Sequence, residues 1–280
     1  MPFARVALLT GIAMLAFAGN SLLCRVALAQ TGIDAATFTA LRLASGALVL
    51  WLLVRQSGHR PAGRGNAWSA LALFAYAAAF SFAYISLTAA TGALLLFGAV
   101  QITMIGFGLA RGEKFQAMQM LGFSLALAGL IGLLLPGLAA PPLFGAGLML
   151  LAGAAWGVYS LRGRGGGDPV RVTAGNFLRA APIAVALALV MLPYAKVDFA
   201  GVAYAVASGA LASGLGYAVW YSVLPALKAT QAATVQLSVP VIAAVGGIVF
   251  LGETMSLRLV LASAAILGGI AIVILEKRIK

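Results

Sequence analysis

Two stretches of this chain, 140 positions apart, carry the same pattern. Ala89, Ala93, Ile102, Gly106, Gly112, Glu113, Gly129 and Leu135 recur as Ala229, Ala233, Ile242, Gly246, Gly252, Glu253, Gly269 and Leu275. A second echo, offset by 136, pairs Gly11, Leu15, Ala16 and Ala18 with Gly147, Leu151, Ala152 and Ala154. The recurrence runs from the first apolar segment of each half to the fifth. It therefore divides the chain into two copies of one five-segment unit, 1–138 and 139–280.

The segments are built for lipid. The chain is 63% hydrophobic and 9% charged, with a mean hydropathy of +1.07, against roughly 45–50% apolar residues in soluble domains. At about 20 residues per crossing, ten runs emerge at 5–28, 35–54, 67–88, 91–110, 116–135, 143–161, 172–192, 201–223, 229–251 and 257–275. They are rich in Ala, Leu and Gly and lack the alternation of barrel strands, so an all-α membrane protein is expected. The first run resembles a signal peptide, but it is too long, carries Asn20 and Arg25, and has a counterpart in mid-chain.

Each copy holds an odd number of spans, so the second enters the membrane from the opposite face. The expected fold is ten transmembrane helices as two inverted five-helix repeats. Inverted repeats are typical of secondary transporters, with the substrate at the midplane between the halves.

Of 18 lysines and arginines, Arg5, Arg55, Arg60, Arg64, Arg111, Lys114, Arg162, Arg164, Arg171, Lys228, Lys277, Arg278 and Lys280 fall on one side. Arg25, Lys196 and Arg258 fall on the other, and Arg42 and Arg179 inside spans. This bias places both termini in the cytoplasm. It also accounts for the net charge of +12 through alternate loops, and no nucleic acid partner is expected.

The chain resembles the drug/metabolite transporter superfamily, in its ten-helix members with two EamA-type repeats. The resemblance rests on Gly-Glu at 112–113 and 252–253, Arg42 and Arg179, Trp156-Gly157-Val158-Tyr159, and Pro240. It implies a bacterial inner-membrane exporter of small metabolites that works by rocking of its halves, most similar to the aromatic amino acid exporters. Ala18-Gly19-Asn20 replaces the usual tryptophan near the end of the first span.

Arg42 and Arg179 lie about seven residues inside their spans, roughly 10 Å deep. Each is either a charge partner on the transport path or a long side chain that ties down helix ends. Their matched depth favours the structural role. Glu113 and Glu253 follow a glycine at a helix end, where capping explains both and gating is the alternative. No span holds an acid or histidine away from its ends, so proton coupling has no support and facilitated export is the simpler expectation.

Polar and aromatic residues at helical spacing near midspan mark the expected path. These are Asn20, Tyr76, Phe80, Phe97, Gln101, Trp156, Tyr159, Ser213, Tyr217, Gln236, Ser238 and Pro240. Tyr84 and Tyr221, nearer the ends, read as interfacial belt residues. Gly153-x-x-x-Gly157 and Gly108-x-x-x-Gly112 read as close-packing sites within a monomer.

Such a wall suits an amphipathic solute with a flat apolar group. An aromatic amino acid fits, as do many drugs and neutral amino acids. A multidrug or cationic-compound exporter and a passive pore are the alternatives. No cofactor or metal is expected. The chain has no Gly-x-Ser-x-Gly elbow, His-Glu-x-x-His or phosphate loop, which argues against an enzyme.

Overall fold

The structure, a computed structural model, describes residues 2–56, 64–112, 116–137, 140–163, 168–227, 232 and 235–276. Among them every long element is helical: α1 (Phe3–Gln30), α2 (Ala35–Gln56), α3 (Ala67–Tyr84), α4 (Ala89–Ala110), α5 (Ala117–Leu134), α6 (Leu143–Arg162), α7 (Pro169–Val190), α8 (Phe199–Ala226), α9 (Ser238–Leu251) and α10 (Leu257–Glu276). Nine of these are long and apolar enough to cross a bilayer, and α9 is shorter. Leu15, Leu151, Val249 and Phe250 stand exposed on the outside, as lipid-facing walls require.

Helix starts follow local chemistry. The side chains of Asn66, Thr88, Asp168 and Asp198 accept backbone N–H groups of the first turns of α3, α4, α7 and α8. Such caps satisfy donors that have no partner within the helix. Asp34 does the same for α2 through Ala36 and Thr37. Its second carboxylate oxygen accepts the N–H of Lys196, tying the α1–α2 corner to the α7–α8 loop. Burial opposes the charge on Asp34, but these hydrogen bonds outweigh it and hold the carboxyl below its usual range.

Two of the expected spans depart locally from regular winding. In the ninth, expected at 229–251, the continuous described helix is Ser238–Leu251, and Ala232 before it is also helical. Val235 and Gln236 are helical and Leu237 forms a turn. Pro240 lacks an N–H, and its ring crowds the carbonyl four residues back, at Gln236. The eighth is not one uniform helix: Ser208–Leu215 winds as a π-helix. Glu113 lies outside the described residues.

Glycine sets the closest approaches. A Cβ on Gly153 would sit 2.5 Å from the Ala99 methyl, and one on Gly269 would sit 2.4 Å from the carbonyl oxygen of Gly122. These contacts join α6 to α4 and α10 to α5. Gly252 ends α9 with a φ of 63°, and Gly112, after α4, has a φ of 87°. Both are in the left-handed region that glycine enters without strain.

The packing partners form a regular set. α2 lies on α7, α5 on α10 and α4 on α9; α3 meets α6 as α8 meets α1; α4 meets α6 as α9 meets α1; and α2 meets α8 as α7 meets α3. Exchanging every helix for the one five places away leaves these pairings unchanged, whereas the lesser contacts of α1 with α3 and α4, and of α4 with α5 and α10, have no counterpart of like extent among the described residues.

Candidate substrate cavity

A cavity of about 470 Å³ lies between α1, α3, α4, α6, α8 and the residues Ala232 and Gln236. Its buried end is formed by Asn20, Ser21, Tyr76, Phe80 and Ser213. Towards the Arg111 and Arg162 ends of α4 and α6, the wall passes to the half-buried Met104, Ser160, Tyr221, Leu224 and Leu227 and the exposed Gly163. The cavity therefore opens on the side that carries Arg111 and Arg162.

Aromatic rings make the wall. Trp156 stacks on Tyr217, with centroids 5.2 Å apart and planes at 26°, and lies 4.8 Å from Tyr76. Phe17 packs against Tyr217 and Trp220. This cluster draws on α1, α3, α6 and α8, so its geometry depends on how the two halves of the chain meet.

The buried end is a polar chain. Arg42 Nη2 donates to the Tyr76 hydroxyl at 2.9 Å, Asn20 Nδ2 donates to the same oxygen at 3.4 Å, and the Ser208 hydroxyl donates to Asn20 Oδ1 at 2.7 Å. The Arg42 guanidinium lies 4.8 Å from the Phe80 ring centre and 5.2 Å from that of Tyr76. Arg42 is 1% exposed. A charge at such a place is expensive in lipid, and its surroundings here are rings and a neutral hydroxyl.

Beyond that end the structure is closed. Arg25 Nε pairs with Glu253 Oε1 at 3.2 Å, and Arg25 Nη1 donates to the carbonyls of Tyr84 and Ile85. The Glu253 carboxylate also accepts the N–H of Ala89, at 2.8 Å from Oε2. One acid thus caps α4 and neutralises an arginine at the end of α1.

Nine expected path residues, namely Asn20, Tyr76, Phe80, Phe97, Gln101, Trp156, Ser213, Tyr217 and Gln236, border this cavity. Three do not. The Tyr159 hydroxyl accepts from Asn176 at 3.3 Å, the Ser238 hydroxyl donates to the Val235 carbonyl, and Pro240 is buried elsewhere in the packing. Two belt expectations are corrected. Tyr84 is fully buried, where Gly92 leaves room for its ring, and Tyr221 borders the cavity. Phe17 and Ser21 were not anticipated, although with Asn20 they share one face of α1 at i, i+3 and i+4. Arg179 is exposed and donates to the carbonyls of Arg64 and Gly175.

The profile of the EamA-like transporter family matches residues 143–275. An uncharacterized protein of Pseudomonas aeruginosa, PA1977, is 61% identical over 276 residues, covering 98% of this chain and 96% of its own length. The chain belongs to the EamA-like transporter family. An uncharacterized transporter of Archaeoglobus fulgidus is 27% identical over 165 residues, 56% of each chain. One crystal structure, at 19% identity, superposes with a TM-score of 0.65 over 99% of both chains, which shows a shared fold. As an EamA-like protein, the chain is a membrane transporter, within the drug/metabolite transporter superfamily.

Proposed function

We propose that this transporter exports aromatic amino acids, or small metabolites of that shape, from the bacterial cytoplasm by alternating access. The observation that carries the reading is the cavity itself. Its volume of about 470 Å³ lies in the ~300–1,000 Å³ range of small-ligand sites, its wall is ring-rich, and it is open on one side only. With the lysine- and arginine-rich loops in the cytoplasm, the open side faces the substrate supply. The Arg25–Glu253–Ala89 cluster then closes the outer face.

Two inverted units, 1–138 and 139–280, fit the main helix pairings, which are kept on exchange of helices five apart. Rocking about the self-paired contacts α2–α7 and α5–α10 would break the outer cluster and close the inner mouth. Among the described residues the wall carries no aspartate or glutamate, which disfavours a cationic substrate, and the spans hold no acid away from their ends for a proton relay. A monomer contains the whole cavity.

The test is counterflow in proteoliposomes preloaded with unlabelled L-phenylalanine. Uptake of labelled L-phenylalanine should be accelerated and should saturate, and Trp156→Ala should raise KM while leaving insertion intact. Linear flux without counterflow would show a pore. Flux independent of aromatic solutes would remove them as substrates.

A further inference from the structure

Resting on the cavity reading above, we propose that the buried end of the cavity is an anion site that holds the carboxylate of the transported solute, with Arg42 supplying the charge and Tyr76 and Ser213 the hydroxyl donors.

The argument begins with an unmatched charge. Among the described residues the ion pairs are Arg25–Glu253 and Arg171–Asp168, so Arg42 has no acid partner. The titratable groups that face it are Tyr76, Cys24 and Tyr217. Its Nε and Nη1 are buried without a hydrogen-bond partner. A permanently charged guanidinium with five donors, 1% exposed and satisfied at one nitrogen only, is a costly arrangement for packing alone.

The second observation is the Tyr76 hydroxyl. Its oxygen already accepts from Arg42 and Asn20, which occupies both lone pairs. The hydroxyl proton has no acceptor among the described residues, and Tyr76 borders the cavity. A hydroxyl polarised by a cation and left with only its proton to offer is a donor for an anion. The third is Ser213, whose buried Oγ also lacks a partner and borders the same cavity. Tyr76 and Ser213 border the cavity near its closed end, Arg42 stands behind them in contact with Tyr76, and the apolar rings lie towards the mouth; this fits a solute with a carboxylate at one end and an apolar body at the other.

The test uses the full chain in detergent and follows quenching of tryptophan fluorescence, since Trp156 and Trp220 border the cavity. The ligands are matched pairs that differ only at the carboxylate: L-phenylalanine and L-phenylalaninamide, phenylpropionate and phenylpropionamide, hexanoate and hexanamide. At least one acid is expected to bind about ten- to a hundredfold more tightly than its amide, and Arg42→Gln should erase most of that gap. Should Arg42→Gln fail to fold, Tyr76→Phe keeps the cation, removes the hydroxyl, and should narrow the gap several-fold. Amides that bind as tightly as acids, acids that never saturate, or competition by sodium chloride as effective as that by the acids would each overturn the proposal. Discrimination in the hexanoate pair alone would uphold the anion site and sink the aromatic reading.

Discussion

Arg42 and Arg179 occupy matching depths in the two halves of the chain, yet their surroundings share almost nothing. Arg179 is exposed and spends its hydrogen bonds on backbone carbonyls at Arg64 and Gly175. Nearby, Asn176 accepts the N–H of Asn66 and donates to Tyr159. This region ties a loop to a helix. Around Arg42 the contacts run between side chains of α1, α2, α3 and α8, and they end at the cavity. Two positions at equal depth in their spans serve as a fastening and as a buried cation. The difference teaches that positions which match in sequence need not match in surroundings: a solute with one charged end needs a cation behind only one end of the cavity.

The sharpest way to break this comparison is to replace each arginine by methionine. Arg42→Met removes an uncompensated buried charge and should stabilise the resting protein by ~1–3 kcal/mol while carboxylate affinity falls about ten- to a hundredfold. Arg179→Met should cost ~1 kcal/mol of stability and leave KM unchanged. Thermal unfolding in detergent together with counterflow kinetics reads both, and equal behaviour of the two variants would erase the distinction.

The asparagines offer the next contrast. Asn20→Ala disconnects Tyr76 from Ser208 and should raise KM about fivefold, the equivalent of ~1 kcal/mol. Asn176→Ala should lower stability by a similar amount without touching KM. A KM effect at Asn176 would place the second region in the site as well.

Glu253→Gln tests whether the outer closure belongs to the Arg42 end. It removes the charge opposite Arg25, a partly buried pair with side chains 20% and 11% exposed. At ~1 kcal/mol or less, a cysteine introduced at Ser21 in a Cys24→Ser background should react up to about fivefold faster with an impermeant reagent from outside. An unchanged rate would remove the cluster from gating.

Asp34 should show the smallest effect. It starts the helix that carries Arg42, but its carboxylate is engaged by Ala36, Thr37 and Lys196, so Asp34→Asn should leave substrate affinity as it is. Because its folded pKa is lowered, its contribution is complete above the unfolded carboxylate value of about 4. It is lost only as pH falls through the still lower folded value. Melting curves between pH 7 and pH 3 should lose this increment at the acid end in the parent chain and not in Asp34→Asn.

Much of this was readable beforehand, for identifiable reasons. Span positions follow from hydropathy, which lipid enforces over whole helices. The cavity-lining residues Tyr76, Gln101, Trp156 and Tyr217 were legible because amides and rings recur at midspan on one helix face, a pattern that also picked out Tyr159, which packs against Asn176 instead. What periodicity could not supply was local backbone departure: the broken start of α9, where Pro240 acts four residues upstream, and the π-helix of α8. Ser208-Gly209 and Ser213-Gly214 were the available signal for the latter, since such pairs loosen a helix. Arg42 shows a further limit. Its depth is a property of the sequence, but its lack of an acid partner depends on which side chains three other helices bring towards it.

The wide winding at Ser208–Leu215 carries slack that an ordinary helix lacks. A Cβ at Gly209 would collide with the backbone carbonyl of Arg42, so the slack lies directly against the α2 backbone at the residue that carries the buried cation. Were one surplus residue taken up into regular winding, everything beyond it would swivel by roughly 100° about the axis. Tyr217 and Trp220 lie beyond it, so a small local rewinding beside the bound anion would change which rings a departing solute meets.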